Sequence, residues 1–412
     1  MTVAIRARGF FGRQVLAAAF SLAVLGWGLG FYGPPIYLHA VQSARGWPLA
    51  LVSFAVTMHF LVGAVVVANL PALYRRFGLA AVTKVGGLAL AAGVVGWALA
   101  AAPWQLLAAT LVSGAGWATT GGAAVNAIVS PWFVRTRPAA LSTAYNGASI
   151  GGVVFSPLWV AAIGALGFPA AAMIVGLVVA LTLWGLAEFW FSRTPADMGL
   201  APDGDPPGTA STMSAASAKS RAQLWRDARF LTLAAGMALG LFAQIGLIAH
   251  LFSLLVPALG EAAAGLAMGG ATAAAIAGRT LVGWLMPAGA DRRLIACANY
   301  AVQILGSLAL IAAAGASVPL MLVGVLLFGV GIGNATSLPP LIAQTEFAPA
   351  DVSRVVALIV AVSQAAYAFA PAAFGVVRAF DSAAAGAAPL FFATAALGQA
   401  LAIGAYLAGR RR

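Results

Sequence analysis

The 412-residue chain is 62% hydrophobic and 8% charged, with a mean hydropathy of +0.97 and a formal net charge of +12. Soluble chains carry about 25% charged residues, so this composition excludes an ordinary soluble domain and indicates a polytopic membrane protein. A basic excess can accompany nucleic-acid binding, but here the basic residues are scattered among short loops between apolar segments, so we expect a lipid bilayer around the chain and no nucleic-acid partner.

Apolar segments long enough to cross a bilayer as helices, about 20 residues each, recur along the whole chain. The first follows a basic N-terminus, but its apolar run is longer than the core of a signal peptide, so we interpret it as a membrane span. We therefore expect an all-α integral membrane protein of the inner (cytoplasmic) membrane with twelve transmembrane helices. The predicted spans are 14–38, 48–73, 79–101, 104–127, 138–163, 168–190, 230–256, 262–286, 294–314, 317–341, 353–378 and 388–408.

Basic residues concentrate on one side of these predicted spans. With the N-terminus inside, 19 of the 22 fall in inner segments, and only Arg45 and Arg378 fall in outer ones. The positive-inside rule then places both termini in the cytoplasm. The inner residues are Arg6, Arg8, Arg13, Arg75, Arg76, Lys84, Arg135, Arg137, Arg193, Lys219, Arg221, Arg226, Arg229, Arg292, Arg293, Arg354, Arg410, Arg411 and Arg412. Those that we interpret as inner-surface, gate-closing charges are Arg75, Arg76, Arg135 and Arg137.

One long polar segment interrupts the series of spans. Ser192–Arg229 is rich in proline, glycine, serine and charge, which is typical of a linker. It divides the chain into an N-terminal six-helix bundle at 1–191, a cytoplasmic linker at 192–229 and a C-terminal six-helix bundle at 230–412. The halves echo each other weakly, because GAGWATTGG in the fourth span and GVGIGNATS in the tenth both contain Gly-x-Gly. Such parallel six-helix repeats are typical of major facilitator superfamily transporters.

Several motifs carry a closer family resemblance. The segment PWFVRTRPAALSTAYNGASIGGVVFSPL at Pro131–Leu158 resembles the loop and fifth span of monocarboxylate transporters and bacterial oxalate/formate exchangers. YGPPIYL at Tyr32–Leu38 is similar to the end of their first span, and RTPADMGLAPDGD at Arg193–Asp205 to the end of their first half. GRTLVG at Gly278–Gly283 resembles their eighth span, and this resemblance implies that Arg279 contacts the carboxylate of a substrate.

The resemblance implies the major facilitator fold and transport of a small organic anion such as a monocarboxylate. The chain departs from the family at several places. Ile36 stands where the animal carriers have a lysine, and Ala275 stands where they have an aspartate one turn before the arginine. The first span also lacks the acidic residue of the family. The resemblance therefore does not extend to the family's proton–lactate mechanism.

Arg279 is the one basic residue that the predicted topology leaves inside a span. A charge at the bilayer centre costs about 2.5–3.5 kcal/mol on insertion scales. Arg279 lies about 12 residues, or roughly 18 Å, from Asp291, which is too deep for easy snorkelling. No aspartate or glutamate falls near mid-span, and a guanidinium can hold a carboxylate through two hydrogen bonds, so the expected partner is a substrate anion. The alternatives are a structural arginine that bonds helix-end carbonyls at an inner gate and a snorkelling side chain.

Neutral polar residues at mid-depth complete the predicted substrate site. We expect them to shape a cavity with one fixed cation, which suits a small carboxylate, and the alternative for each is an interhelical hydrogen bond. They are Tyr32, Asn146, Ser149, Gln244, Asn334, Gln364 and Tyr367. His59, in the second span, could carry a coupled proton or bond a neighbouring helix. His250, near the outer end of the seventh span, fits an interfacial or gate role.

These features predict a secondary transporter that moves a small organic acid by alternating access, with proton symport or anion exchange as the coupling. An exporter of hydrophobic drugs or metabolites is the alternative, although no mid-span carboxylate is present to attract cations, and a non-transporting sensor is a third interpretation. The sequence contains no phosphate-binding loop, metal-ligand cluster or nucleophile–base pair, so we expect no enzyme activity and no cofactor. We expect a monomer.

Overall fold

The computed structural model describes residues 10–204, 221–287, 289–381 and 387–410, and the regular secondary structure in these ranges is helical throughout. The predicted all-α fold is therefore confirmed. Part of the predicted linker lies outside these ranges, as do the inner residues Arg6, Arg8, Lys219, Arg411 and Arg412.

The helices are α1 (Phe11–Gly30), α2 (Gly33–Arg45), α3 (Leu49–Phe77), α4 (Leu79–Leu99), α5 (Pro103–Thr120), α6 (Gly122–Val129), α7 (Arg137–Leu166), α8 (Phe168–Leu186, continued by a π-helical turn at Ala187–Phe191), α9 (Arg221–Leu224), α10 (Ala228–Leu285), α11 (Arg292–Ala313), α12 (Val318–Glu346), α13 (Pro349–Ala368), α14 (Ala370–Phe380) and α15 (Pro389–Ala408).

Ten helical stretches of the described chain are long and apolar enough to cross a membrane, which identifies a multi-pass membrane protein. One of them, α10, contains two predicted spans, 230–256 and 262–286, because its backbone turns at Gly260. The φ angle there is +73°, a conformation that favours glycine. The predicted span 104–127 is helical as α5 and α6 but is not among the ten.

The first predicted span consists of two helices. In the run GWGLGFYGPP, α1 ends at Gly30 and α2 begins at Gly33, where two prolines follow. Proline lacks the amide hydrogen that would continue the helical hydrogen-bond ladder, so the chain breaks here. Tyr32 caps α2 at this break, and its side chain reaches Thr272 of α10. The sequence motif therefore carries a polar side chain from the first half of the chain to the second.

The two Gly-x-Gly motifs have the same packing role. Gly114 lies against α3 and Gly116 against α4, while Gly329 lies against α10 and Gly331 against α11. A methyl group added to any of the four glycines would come within 2.2–2.5 Å of the neighbouring helix. Small residues allow helices in a membrane to approach closely. The first glycine of each motif thus permits contact with the second predicted span of its half, and the second glycine with the third.

Contacts between the two halves of the chain are concentrated toward one end. Helix α7 packs along the second part of α10, and α3 packs on α14. The Thr57 hydroxyl accepts a hydrogen bond from the Ala372 amide at 2.9 Å, and the His39 imidazole lies 3.5 Å from the Glu261 carboxylate. The positive-inside prediction makes this the outer end. With that orientation, the described conformation is closed toward the outside.

A buried arginine connects several helices at the inner end of the second half. The Arg293 side chain is 1% exposed, and its guanidinium donates to both carboxylate oxygens of Glu346 at 2.6 and 2.8 Å. It also donates to the Thr232 hydroxyl and to the carbonyls of Arg229 and Tyr406. All five N–H donors of a guanidinium are therefore used. Such a fully bonded ion pair is a structural element.

We predict that Glu346→Gln destabilises the fold strongly, because it leaves the Arg293 cation buried without a counter-charge. Breaking a buried ion pair by removing one partner costs about 3–5 kcal/mol. Glu188→Gln is the matched control, since Glu188 pairs with Lys84 while its side chain is 53% exposed. Thermal unfolding in detergent should show a much lower Tm for Glu346→Gln than for the control. Equal Tm values for the two variants would contradict the structural role of this pair.

Candidate functional site

Arg279 lies between the two halves of the chain. Its Nη1 donates to the Asn146 side-chain oxygen in α7 at 3.2 Å, and its Nη2 donates to the Gly333 carbonyl in α12 at 3.4 Å. The Nε atom is buried and has no hydrogen-bond partner. Within the described ranges, no carboxylate forms an ion pair with this guanidinium. Neutral acceptors from both halves therefore hold the cation, and its buried Nε donor stays unused.

The depth of Arg279 differs from the depth that we expected from the sequence. Helix α10 ends at Leu285, so Arg279 is six residues, or about 9 Å, from the inner end of its helix. The sequence estimate was larger because it counted to Asp291, the cap of the next helix. The side chain nevertheless does not reach for the surface, since it bonds laterally to Asn146 and Gly333. These lateral bonds argue against the snorkelling alternative.

Tyr32 lies near the part of α10 that carries Arg279. Its side chain contacts Thr272, seven residues before Arg279, and its hydroxyl is within electrostatic range of the guanidinium. Gly152 of α7 makes this approach possible, because a methyl group there would lie 2.6 Å from both the Tyr32 ring and the Thr272 methyl. The structure thus brings three helices together at this point. Of the predicted site residues, it places Asn146 in contact with Arg279 and Tyr32 within electrostatic range of it.

Close contact between α10 and α12 positions the guanidinium. A methyl group on Gly278 would lie 2.1 Å from a carbonyl oxygen of α12. A methyl group on Gly333 would lie 2.7 Å from the Ala275 carbonyl and 3.0 Å from Arg279 Nε. Ala275, the residue at the position of the family aspartate, is 1% exposed at this contact. The second half therefore offers the guanidinium a backbone carbonyl here instead of a carboxylate.

Ser149 and Asn334 are neighbours of the residues that bond Arg279. Ser149 is one turn after Asn146 in α7, and Asn334 follows Gly333 in α12. Both side chains are buried, and the Asn334 amide nitrogen has no hydrogen-bond partner. An unpaired buried donor is costly. Their substrate contacts stay predictions.

No contact recorded within the described ranges joins Gln244, Gln364 or Tyr367 to Arg279. The Gln244 side chain is buried, and its oxygen has no hydrogen-bond partner. Tyr367 packs its ring against Phe60 of α3, with a centroid distance of 6.0 Å. This aromatic contact joins the two halves on the outer side of Arg279. The roles of the three residues in substrate binding also stay predictions.

His59 lies in the interior of the first half. Its Nδ1 is 2.8 Å from the Ser113 hydroxyl, and its Nε2 is 2.9 Å from the Gly30 carbonyl. The Trp97 indole N–H donates to the same hydroxyl at 3.1 Å. Both ring nitrogens thus have partners within the first half, which favours a structural role. Proton coupling through His59 stays a prediction.

Aromatic rings surround the break between α1 and α2, and sequence reasoning did not single them out. The Phe31 ring lies 5.0 Å from Tyr32 and 6.1 Å from both Phe60 and Trp117. Trp27 lies 5.0 Å from Trp117 in an edge-to-face arrangement. Such rings supply large apolar surfaces. The signal in the sequence was three aromatic residues flanked by glycines, one in GWG and two in GFYG.

An aspartate of the linker holds the inner loop between α6 and α7. The Asp203 carboxylate accepts hydrogen bonds from the amides of Val134, Arg135 and Thr136 at 2.8–3.2 Å and from the Thr136 hydroxyl at 2.5 Å. Burial opposes ionisation of the Asp203 carboxyl, but these hydrogen bonds outweigh it and lower its pKa to about 2. The start of the linker is therefore fixed to the loop that carries Arg135 and Arg137.

In the described part of the chain, Arg75, Arg76 and Arg137 have no recorded contact with Arg279. Arg75 and Arg76 are exposed at the end of α3, and Arg137 bonds carbonyls of its own loop. Their predicted gate role stays a prediction. No group of three or more His, Cys, Asp or Glu side chains in the described ranges is placed to hold a metal ion.

Comparison with known proteins gives one family match. A family model described as Major Facilitator Superfamily matches residues 16–371. Two solved structures of the nucleoside transporter NupG are similar, a point mutant with a TM-score of 0.72 at 11% identity, which covers 96% of this chain and 100% of that chain, and a second with 0.69 at 12%, which covers 98% and 100%. A bacterial homolog of the human lysosomal transporter Spinster, in an inward-facing and unoccupied conformation, has a TM-score of 0.63 at 15% identity and covers 97% and 94%. At these identities the likeness shows the fold alone. No curated protein sequence matches the chain.

We predict that protection of the inner loop depends on ionised Asp203. The folded pKa of Asp203, about 2, is below the usual 3.8. The stabilisation that its carboxylate gives the loop is therefore fully present above about pH 4 and is lost as the pH falls toward 2. Hydrogen exchange of the Val134–Thr136 amides, corrected for the intrinsic rate, measures this. Asp203→Asn should lower protection above about pH 4 and remove its loss toward pH 2, while Asp197→Asn, which removes a carboxylate bonded to Thr194, should change neither. Equal protection in both variants would show that the carboxylate does not hold the loop.

Proposed function

The chain belongs to the major facilitator superfamily of membrane transporters, and we propose that it is a secondary transporter that moves a small organic anion across the membrane by alternating access. In this proposal, the helical bundles at 1–191 and 230–412 move relative to each other about a site that contains Arg279. The linker at 192–229 connects them on the cytoplasmic side. The coupling is proton symport or anion exchange.

The observation that carries the proposal is the bonding of Arg279. Its described acceptors are an amide oxygen and a backbone carbonyl, and its Nε has none. A cation in a poorly solvated site is stabilised far more by an anion than by neutral dipoles. A substrate carboxylate would supply that anion and could replace the long 3.2 and 3.4 Å bonds to Asn146 and Gly333.

The same bonds suggest how substrate binding couples to movement of the halves. Asn146 belongs to the first half, whereas Arg279 and Gly333 belong to the second. A carboxylate that draws the guanidinium away from Asn146 weakens a contact between the halves. An anion that bridges Arg279 and the Tyr32 hydroxyl would instead join them. The empty site and the loaded site therefore hold the halves together through different bonds, which alternating access requires.

The surroundings favour an acid with an apolar body. Apart from Arg279, the predicted site residues are uncharged, and Phe31, Trp27 and Trp117 add aromatic surface beside Tyr32. One cation suits one carboxylate, and the rings suit an alkyl or aromatic remainder. The same rings are the observation that favours the second candidate, export of hydrophobic compounds. The two candidates differ in whether transport needs the guanidinium.

We predict that Arg279→Gln abolishes uptake of labelled acids into proteoliposomes and that Arg279→Lys lowers kcat/KM about 10- to 100-fold, because an ammonium replaces the two-pronged donor with a point charge. The panel consists of lactate, formate, oxalate and an aromatic monocarboxylate. Arg45→Gln is the matched control, since Arg45 is exposed at the outer end of α2.

Two outcomes would overturn the proposal. Full uptake by Arg279→Gln would assign this arginine to the gate or to packing. Absence of acid uptake by the wild type, together with efflux of a cationic dye, would favour export of hydrophobic compounds.

A further inference from the structure

Arg378 is a second arginine inside the helical region without a carboxylate partner. The sequence places it in an outer segment, but in the structure it lies in the last turn of α14 and is half-buried against α10. Its Nη1 donates to the Ser253 hydroxyl at 2.5 Å. Within the described ranges, Ser253 is its hydrogen-bond partner and no carboxylate pairs with it. The guanidinium therefore has donors free for an anion.

His250 lies one helical turn before Ser253 and has one ring nitrogen without a partner. The side chain is fully buried, and Nε2 is 3.0 Å from the Pro371 carbonyl. Because a carbonyl only accepts, the hydrogen on the neutral ring is assigned to Nε2. The other nitrogen, Nδ1, is then a buried acceptor, and it has no hydrogen-bond partner. This contrasts with His59, where both nitrogens are bonded.

The charged groups near His250 lie on several different helices. Helix α14 contributes Arg378, which acts on His250 electrostatically. Helix α2 contributes His39, which lies 3.5 Å from Glu261 of α10, further toward the outer end. Asp381, after α14, accepts hydrogen bonds from the first amides of α15. Helix α3 faces this region with hydroxyl side chains, and α15 contributes an aromatic ring that packs on the imidazole.

In this arrangement, protonation of His250 is coupled to the binding of an anion by Arg378. A proton on Nδ1 would make His250 a second cation beside Arg378 in a buried site, which is unfavourable. The Ser253 hydroxyl donates to the His250 backbone carbonyl at 2.9 Å and accepts from Arg378, so it positions the guanidinium. A carboxylate bound to Arg378 cancels that repulsion and gives the Nδ1–H an acceptor. Each ligand therefore raises the affinity for the other, as thermodynamic linkage requires. A carboxylic acid satisfies both groups at once, with its carboxylate on Arg378 and its proton on His250.

Helix α3 of the first half covers this place in the described conformation. Thr57 accepts from the Ala372 amide, and Ser53 lies so close to Gly375 that a methyl group there would be 2.5 Å from the Ser53 hydroxyl. A cavity of about 310 Å³, lined in part by His39 and Phe252, is present at the same end. Separation of the halves at this end would uncover α14.

We propose that His250, Ser253 and Arg378 form an outer binding site that takes up a small carboxylate together with one proton. The proposal rests on the proposed transport of organic anions, and it assigns the coupled proton to His250. The site is separate from Arg279, since it lies at the end of the molecule where α2, α3 and α14 meet. It is the first site that an acid meets on entering from outside.

The test uses the full chain in right-side-out and inverted vesicles, with radiolabelled lactate, formate and oxalate as probes. His250→Gln retains an N–H that can reach the Pro371 carbonyl and removes the titratable nitrogen. It should abolish the stimulation of acid accumulation by an inward proton gradient, whereas exchange of labelled for unlabelled acid should be lowered but still measurable. Arg378→Gln should raise KM about tenfold for entry from the outside, the effect of losing a charge-assisted hydrogen bond, and should change KM from the inside much less. The controls are His39→Gln and Arg45→Gln.

Several results would overturn this assignment. One is proton-driven accumulation by His250→Gln at the wild-type level. Others are a wild type that exchanges acids but never accumulates them with a proton gradient, or an Arg378→Gln variant with equal KM changes from both sides. Failure of the transport proposal would give different results. These are full uptake by Arg279→Gln or no acid exchange by the wild type. If thermal unfolding shows that either His250→Gln or Arg378→Gln does not fold, the result for the other variant tests the assignment.

Discussion

A guanidinium inside a membrane protein costs free energy unless each of its donors has an acceptor and its charge has a counter-charge. At Arg279 the first condition is only partly met and the second is not met by any described residue. The neighbouring structure positions this cation. Glycines allow α12 to contact it, the break between α1 and α2 brings Tyr32 within electrostatic range, and Gly152 leaves room for the Tyr32 ring. The resulting site has acceptors from both halves of the chain.

The hydrogen bonds of three buried or half-buried arginines distinguish a structural role from a ligand-binding role. Arg293 uses all five donors and pairs with Glu346, so it has no capacity for a ligand. Arg279 bonds a side-chain amide and a carbonyl, and Arg378 bonds a hydroxyl. The two incompletely bonded arginines lie at contacts between helices near the boundary of the halves. We therefore infer that a reversibly bound anion balances their charges.

Local sequence patterns predicted much of the fold. Long apolar runs predicted an all-helical membrane protein, and the isolated charge singled out Arg279. These features depend on residues that are close together in the chain. The glycine motifs likewise had a recognisable spacing, and the structure gives that spacing a packing role in each half.

Other features depend on tertiary contacts, and sequence reasoning missed them for that reason. The depth of Arg279 depends on where α10 ends, which the sequence estimate placed at the next helix cap. The contact of Arg378 with Ser253 joins residues 125 positions apart, so the sequence showed only that Arg378 lies in an outer segment. His59 and His250 look alike in sequence as lone histidines, and only the packing shows that one has two partners and the other has one.

The central claim is that the missing partner of Arg279 is a carboxylate from solution, and direct binding tests it without any assumption about direction or coupling. A ligand that binds only the folded protein raises its stability by RT ln(1 + [L]/Kd). Thermal unfolding of the purified chain should therefore shift upward with at least one carboxylate of a panel, and not with its amide analogue. The shift should vanish in Arg279→Gln and persist in Arg45→Gln. An equal shift in wild type and Arg279→Gln, or no shift with any carboxylate, would contradict the account.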